Sequence, residues 1–316
     1  MLTRSEDKNS PAGVVILLLS ALAFGLTFVF QKQAAETVDA TSVVALRFCI
    51  GAAALALMIV LNDAFRRKKG YVVFRFDKNV LVGGALSGIC LYVASVAQQA
   101  GLESTTAGKA GFITAMYIMI VPLMGLLAGK RTRANVWFAV PVAIAGFWMM
   151  SVTGDDLTVG EGDLFVLLSS FCYALQILFI DEFSEGEDSF KFTFTEVAVA
   201  SIIAVPVMLA NGAPSPAALR PAVWSLLYMG VVASAVGYGL QVVGQQKVNP
   251  AAATMLLSTE SVIALFGGAI ILHEANSATE LGGCLLVFLG VFITQLQFSP
   301  RFLPAPTKRS LTMRSA

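Results

Sequence analysis

Charge is what this sequence has least of. Asp, Glu, Lys and Arg together make up 13% of its 316 residues, about half the share of ~25% usual in soluble domains. That shortage excludes a large solvated surface. Histidine occurs once, as His273, and the four cysteines (Cys49, Cys90, Cys172 and Cys284) each stand alone in apolar sequence. No CxxC pair or metal-ligand spacing exists. The cysteines are therefore expected to be free thiols, and His273 a plain loop histidine beside Glu274. An enzyme embedded in a membrane would need a nucleophile, base or metal cluster at one depth, and these scattered residues supply little toward one. The absence of a GxxxxGK[ST] phosphate loop argues against a chain that is itself driven by ATP. A net charge of +1 gives no global reason to bind nucleic acid. No cofactor or metal is expected.

Apolar residues fill the space that charge leaves, at 57% of the chain. Runs long enough to cross a bilayer, which takes about 20 residues, fall at 12–30, 42–61, 80–100, 109–128, 135–152, 163–180, 191–209, 222–246, 251–273 and 279–298. They do not alternate as the strands of a membrane barrel would. In lipid each must satisfy its own backbone hydrogen bonds, which makes them helices. The first run follows Arg4 and Lys8 as a signal peptide would. It is long, ends in no clear small-residue cleavage site and begins a series of similar runs, so it is read as a span. The expected fold class is an all-α integral membrane protein with ten transmembrane helices, and its surroundings are a lipid bilayer.

Basic residues give the orientation. Arg66, Arg67, Lys68, Lys69, Arg75 and Lys78 follow the second run; Lys130, Arg131 and Arg133 follow the fourth; Arg301, Lys308, Arg309 and Arg314 close the chain. With both termini cytoplasmic, all of these lie inside, and Lys32, Lys109 and Arg220 lie outside, as the positive-inside rule requires. The connection holding Asp155, Asp156 and Glu161 suits the outside. The acidic stretch 181–190 falls inside, where acidic residues carry little topological weight. The cluster Arg66–Lys69 serves as a topology anchor and can also meet anionic lipid. Trp137, Trp148 and Trp224 sit near run ends, as an interfacial belt does.

The chain repeats itself. An offset of 144 puts Ala107 on Ala251, Lys130 on Glu274 and Gly146 on Gly290; an offset of 149 puts Asp39 on Asp188, Arg47 on Glu196 and Asn62 on Asn211. Each half then holds five helices. Five is odd, so the second half enters the membrane upside down. The expected organisation is an N-terminal tail 1–11, a first five-helix repeat 12–152, a second 163–298 and a C-terminal tail 299–316. Inverted repeats of this kind enclose a central site and rock about it in many carriers; shared ancestry alone would also produce them.

Two segments carry a family resemblance. QQKVNPAAATMLLSTESVIALFGGAIILHE, residues 245–274, runs from a Pro-small-small helix start through a mid-helix glutamate to a closing glutamate, and GLESTTAGKAGFITAMYIMIVPLMGLL, residues 101–127, matches it in the first half. With the two five-helix halves, they resemble the drug/metabolite transporter superfamily, specifically its EamA-type members, over nearly all of the ten runs. The resemblance implies a ten-helix bundle whose cavity is lined largely by helices 1, 3, 4, 6, 8 and 9. It also implies small organic substrates such as amino acids or related metabolites, a bacterial inner membrane, and export in many relatives. One departure is Ser261, where the family often has proline after the glutamate; a kink there is in doubt.

Glu260 is the candidate that stands out most. A charge at mid-span costs about 2.5–3.5 kcal/mol on insertion scales, so it should face a cavity or a partner. It can bind a substrate amine, exchange a proton, or make a structural bond to a neighbouring helix. Arg47 lies near one end of the second run and is favoured as structural, snorkelling or pairing with Asp39 or Glu103; it can also attract a carboxylate. Polar residues three and four apart share a helix face. They form stripes at Tyr238, Gln241 and Gln245, at Tyr92, Ser95 and Gln99, and at Ser170, Tyr173 and Gln176, to which Thr27, Thr114 and Tyr117 add. Singly these are inter-helix bonds worth about 0.6 kcal/mol; together they suggest a wet central path. Gly83, Gly84, Gly88, Gly230, Gly237 and Gly239 permit close helix approach, and Pro122, Pro141 and Pro206 are candidate kinks. The expectation is a secondary transporter of a small organic metabolite, working by alternating access with Glu260 as the proton-coupling candidate. A channel, a membrane enzyme and a partner-binding scaffold are the alternatives. Nothing in the sequence specifies an oligomeric state.

Overall fold

The computed structural model describes residues 10–67, 76–127, 134–151, 160–248 and 250–295. The basic clusters within 68–75, 130–133 and 301–314, and Asp155 and Asp156, lie outside the described residues. The described chain is helical throughout, with no β-strand. Its ten helices are α1 (Pro11–Ala35), α2 (Ala40–Arg67), α3 (Lys78–Leu102), α4 (Ala107–Thr114 and Tyr117–Leu127), α5 (Ala134–Ser151), α6 (Glu161–Phe183), α7 (Ser189–Asn211), α8 (Pro216–Leu227, Tyr228–Gly237 and Tyr238–Gln245), α9 (Pro250–Leu257 and Thr259–Ile271) and α10 (Ala278–Gln295). Among the described residues, eight helices are long and apolar enough to cross a membrane, and α5 and α10 hold shorter apolar stretches, Trp137–Met149 and Ala278–Gly290.

The local starts follow from capping chemistry. Asp39 accepts from the Ser42 backbone N–H at 3.0 Å, and Asp188 accepts from the N–H groups of Phe190 and Lys191 at 3.0 and 3.3 Å. The two aspartates that the internal repeat aligns thus begin α2 and α7 alike. Thr106 caps α4 through Lys109 N. Proline opens α1 and α8 as Pro11 and Pro216, where its missing N–H costs nothing. Because of that start, α8 begins at Pro216, ahead of the apolar run expected at 222.

Three helices are irregular. The middle of α8, Tyr228–Gly237, is a π-helix; such widened turns gather at functional sites. The Ser20 hydroxyl donates to the Gly237 carbonyl at 2.9 Å at its end. Both α4 and α9 are interrupted, α4 at Ala115–Met116 and α9 at Ser258. The repeat offset of 144 carries Ala115 to Thr259, one residue past the α9 break, so the two interruptions correspond to within one residue. The break in α9 occurs without the family's proline. Side-chain hydroxyls make it: Ser258 donates to Met255 O, Thr259 to Leu256 O and Ser261 to Ser258 O, each at 2.7 Å, and back-bonding of this kind loosens a helix. The doubt that Ser261 cast on a bend in this helix is therefore resolved: hydroxyls one turn earlier open it.

Helix crossings are set by glycines. Gly230 of α8 meets α2 at Ile50, with the Arg47 carbonyl 3.1 Å from where its Cβ would stand; Gly88 of α3 meets α7 with the Glu196 carbonyl at 2.5 Å from the same point. These are repeat-related crossings, each at the backbone of an intramembrane charge. Gly25 of α1 crosses α9, where an added Cβ would stand 2.5 Å from Ile263 Cβ and 2.7 Å from the Glu260 carbonyl. The Gly25→Val substitution is expected to destabilise the protein by about 2–3 kcal/mol through overpacking, seen as earlier thermal unfolding. Gly239, which has nothing within 4 Å of its Cβ position, should accept alanine without loss. An unchanged melting curve for Gly25→Val would mean that this crossing is loose. At the periphery α5 packs on α10, with Gly146 against Val287 and Gly283, while Trp137, Phe138 and Trp148 stay exposed.

Candidate functional site

Seven helices, α1, α2, α3, α4, α6, α8 and α9, surround a central cleft with a cavity volume of about 50 Å³. Its walls are Phe24, Thr27, Phe28 and Gln31 of α1, Arg47 of α2, Gln98 of α3, Thr114 and Tyr117 of α4, Tyr173, Gln176 and Ile177 of α6, Ala233, Tyr238 and Gln241 of α8, and Leu257 and Glu260 of α9. The helices that the resemblance implied all contribute, and α2 joins them through Arg47.

One carboxyl and one guanidinium face the cleft, Glu260 and Arg47. Glu260 is in the first turn after the α9 break, buried, with the Tyr117 hydroxyl of α4 as its hydrogen-bond partner. The two interrupted helices therefore meet through these side chains. Arg47 is 2% exposed. Its Nη2 donates to Ser95 Oγ at 2.8 Å, its guanidinium lies 4.7 Å from the Phe48 ring centroid, and its Nε has no hydrogen-bond partner. It neither snorkels nor pairs with Asp39 or Glu103. Cation–π contact and one hydroxyl leave this buried guanidinium with fewer acceptors than its five N–H groups can use.

Neutral groups link the helices in two layers. In the first, Ser95 Oγ is 3.4 Å from Tyr173 Oη, which donates to Gln98 Oε1 at 3.3 Å; Gln98 donates to Thr114 at 3.0 Å, and Gln31 donates to Gln98 at 3.2 Å. In the second, Gln241 donates to Gln176 at 3.3 Å and to Gln245 at 3.0 Å, and Gln245 donates to the Ile177 carbonyl at 3.3 Å. Phe24 and Tyr238 pack ring to ring at 4.8 Å. Beyond the first layer, near the start of α4, lies a second hollow of about 440 Å³ lined by Lys32, Glu103, Thr105, Lys109, Asp163 and Glu280 among others. There Lys109 Nζ pairs with Asp163 Oδ2 at 2.7 Å, Thr105 donates to Asp163 Oδ1 at 2.7 Å, and Lys32 donates to the carbonyls of Leu102 and Thr105. Glu274 accepts from the N–H groups of Ala107 and Gly108, so the closing glutamate of the α9 motif caps the N-terminus of α4.

Of the residues singled out in the sequence, Glu260, Tyr238, Gln241, Tyr117, Thr114, Tyr173 and Gln176 all line this cleft, as do Arg47 and Thr27. Three do not. Gln245 lies below the cleft in the second layer; Gln99 turns away and donates to the Gln31 carbonyl at 3.0 Å; Tyr92 is half-buried outside it. Gln31, Gln98, Phe24 and Phe28 line it and were not singled out. Gln31 and Gln98 differ from ordinary apolar-run residues only in being polar near a helix end, a signal that the interface also produces. His273 takes a left-handed conformation, φ 55°, just after α9. Among the described residues no group of His, Cys, Asp and Glu side chains could hold a metal ion.

Known proteins carry the same pattern. The sequence model of the EamA-like transporter family matches twice, over residues 11–152 and 160–296. A protein named as an uncharacterized transporter in Archaeoglobus fulgidus is 26% identical over 89% of this chain and 95% of its own length. The pseudopaline exporter CntI of Pseudomonas aeruginosa is 24% identical over 87% of this chain and 93% of its own. A crystal structure at 15% sequence identity superposes with a TM-score of 0.64, covering 90% of this chain and 97% of that one, which shows a shared fold. The chain is a multi-pass membrane protein of the EamA-like transporter family, in the drug/metabolite transporter superfamily, and a transporter rather than an enzyme.

Proposed function

We propose that this protein is a secondary transporter of a small organic metabolite that carries both an amino and a carboxyl group, an amino acid or a related compound. The observation that supports it most is the pairing of one buried carboxyl, Glu260, with one buried guanidinium, Arg47, in the walls of a single cleft. A zwitterion placed between them neutralises both in a medium where unpaired charge is expensive. Tyr238, Gln241, Gln98, Thr114, Tyr117, Tyr173 and Gln176 supply the remaining polar contacts. Gln245, Gln99 and Tyr92, outside the cleft, act on it through their helices.

Arg47 belongs to the first repeat and Glu260 to the second. A substrate held by both ties residues 12–152 to residues 163–298, so binding energy is available to move one against the other. Alternating access between two such units is the mechanism, and proton exchange at Glu260 is its coupling step. With basic residues concentrated on one side, both termini face the cytoplasm and the membrane is a bacterial inner membrane. The name of the Pseudomonas aeruginosa relative, an exporter, supports outward transport.

The test is a thermal-shift panel on purified protein, using free amino acids, their methyl esters and their N-acetyl derivatives. Stabilisation is expected only with both charged ends present. Arg47→Gln should lose the discrimination against esters, and Glu260→Gln the discrimination against N-acetyl compounds. Counterflow in proteoliposomes then separates a carrier, which saturates and exchanges, from a channel, which does neither. A panel without preference for zwitterions would reject the substrate class.

A further inference from the structure

One buried carboxylate has no part in the cleft wall. Glu196 of α7 is 0% exposed. Its Oε1 accepts from Ser87 Oγ of α3 and from Gln176 Nε2 of α6, each at 2.7 Å, while Oε2 has no hydrogen-bond partner in the protein. Both partners are neutral. From α3 the Cys90 thiol and from α8 the Tyr238 phenol are close enough to feel its charge. On α2, the charged side chains described are Asp63, near the end of the helix, and Arg47, one turn before Gly51, which meets Val197 of α7; Arg47 makes no ion pair with Glu196, and the Tyr238 phenol lies within reach of both charges. On α7 itself Lys191 lies 5.8 Å from the Phe76 ring centroid. A carboxylate in the bilayer interior that is satisfied on one oxygen only by neutral donors is costly to keep ionised.

Gln176 connects this carboxyl to the cleft. It lines the cleft, its Nε2 donates to Glu196, and its Oε1 accepts from Gln241. An ionised carboxyl accepts hydrogen bonds and donates none, whereas a protonated one donates. We propose that Glu196 is a proton-binding site separate from Glu260, and that its occupancy turns the Gln176 amide and so changes what the cleft wall offers a ligand. With Glu196 ionised, Gln176 is held by its NH2 group and presents its carbonyl toward Gln241 and the cleft. With a proton on the carboxyl and the group turned so that its O–H faces Gln176, Ser87 keeps the carbonyl oxygen, and the amide turns over to accept the O–H and presents NH2 instead. Gln241 then turns with it, because two NH2 groups cannot face each other, and gives up its bond to Gln245 Oε1. The step adds one proton and removes one negative charge; no other bond changes. Only its consequence for a ligand rests on the cleft being the substrate site.

Infrared difference spectra between acid and alkaline buffer test this on the full chain in lipid nanodiscs. The expected wild-type spectrum contains a carbonyl band from a non-hydrated carboxylic acid and a side-chain amide shift that titrate together. Glu196→Gln should lose the amide shift and the part of the acid band that titrates with it, and Glu260→Gln should keep both of these and lose only acid absorbance that titrates without the amide. Gln176→Leu should keep the acid band and lose the amide shift. Glu196→Asp retains an acid and should move the band, which serves where the Gln variant does not fold. A Glu196→Gln spectrum identical to the wild type overturns the proton site, and an acid band that titrates with no amide shift overturns the switch. No transported ligand is needed, so failure of the transport proposal leaves this result standing, and transport without the Glu196 band removes this inference alone.

Discussion

Replacing Glu260 by Gln is expected to lower the initial rate of substrate exchange by at least about 30-fold, since removing one partner of a buried, hydrogen-bonded charge pair costs about 2–5 kcal/mol and each 1.4 kcal/mol is about tenfold. The loss should be specific to function. Glutamine has nearly the shape of glutamate and can keep a bond to the Tyr117 hydroxyl, so the α4–α9 contact survives. Comparative metabolite profiling of cells and medium, with wild type and variant at equal membrane level, supplies the measurement where no substrate is in hand. A compound that redistributes only with the wild type names a substrate candidate. Equal redistribution in both strains, at every pH tried, would remove Glu260 from the mechanism.

Lys109→Met is expected to be the most damaging single change to stability outside the cleft. The pair Lys109–Asp163 joins α4 to α6, with side chains 10% and 2% exposed. The 2.7 Å contact to Asp163 Oδ2 is ionic, with no directed hydrogen bond beside it. Removing the lysine leaves a buried carboxylate held only by Thr105, and breaking a buried pair in this way costs about 3–5 kcal/mol. The double variant Lys109→Met/Asp163→Leu should recover most of that, because a buried ion pair and an apolar pair of similar volume are often close in stability. Thermal unfolding of the two single variants and the double decides it. Equal midpoints for Lys109→Met and wild type would show that the pair is dispensable. The same bond ties the two repeats at one membrane face, so its loss should also favour opening on that side, read as faster labelling of a cysteine placed at Thr114.

Apolar length was enough to find every helix, because a bilayer leaves no other way to satisfy the backbone. It was not enough to find the irregular turns. The π segment of α8 and the hydroxyl-made break of α9 depend on which bond a Ser or Thr side chain chooses, and a window of hydropathy is blind to that choice. The internal repeat could have exposed the paired breaks, since Ala115 and Thr259 align, but the identities there are sparse. For the cleft, side-chain spacing located faces to within about one residue. Gln98 and Gln99 sit about 100° apart around α3 and both follow Ser95 at a helical spacing; the structure selects Gln98. Arg47 looked like an interfacial residue by its depth, and its burial under Phe48 and Ser95 is a tertiary fact. Glu196 was visible only as the repeat mate of Arg47. Its approach to the cleft required Gln176 to bridge them.

The interruption of α4 bears on how the protein is made. Its span, Ala107–Met124, has the lowest mean hydropathy of the eight long spans, 1.5, and the largest share enclosed by protein, 83%. A segment that is broken in the middle and carries Lys109 near its start gains little by entering lipid alone. Its principal support is α9, which ribosomes deliver five spans later. Until then α4 must be sheltered by α1 of its own repeat, by the incoming α6 of the second, or by the insertion machinery. Biogenesis of the amino-terminal half is therefore complete only when the carboxy-terminal half has been synthesised, and chains truncated after α5 would be substrates for membrane quality control.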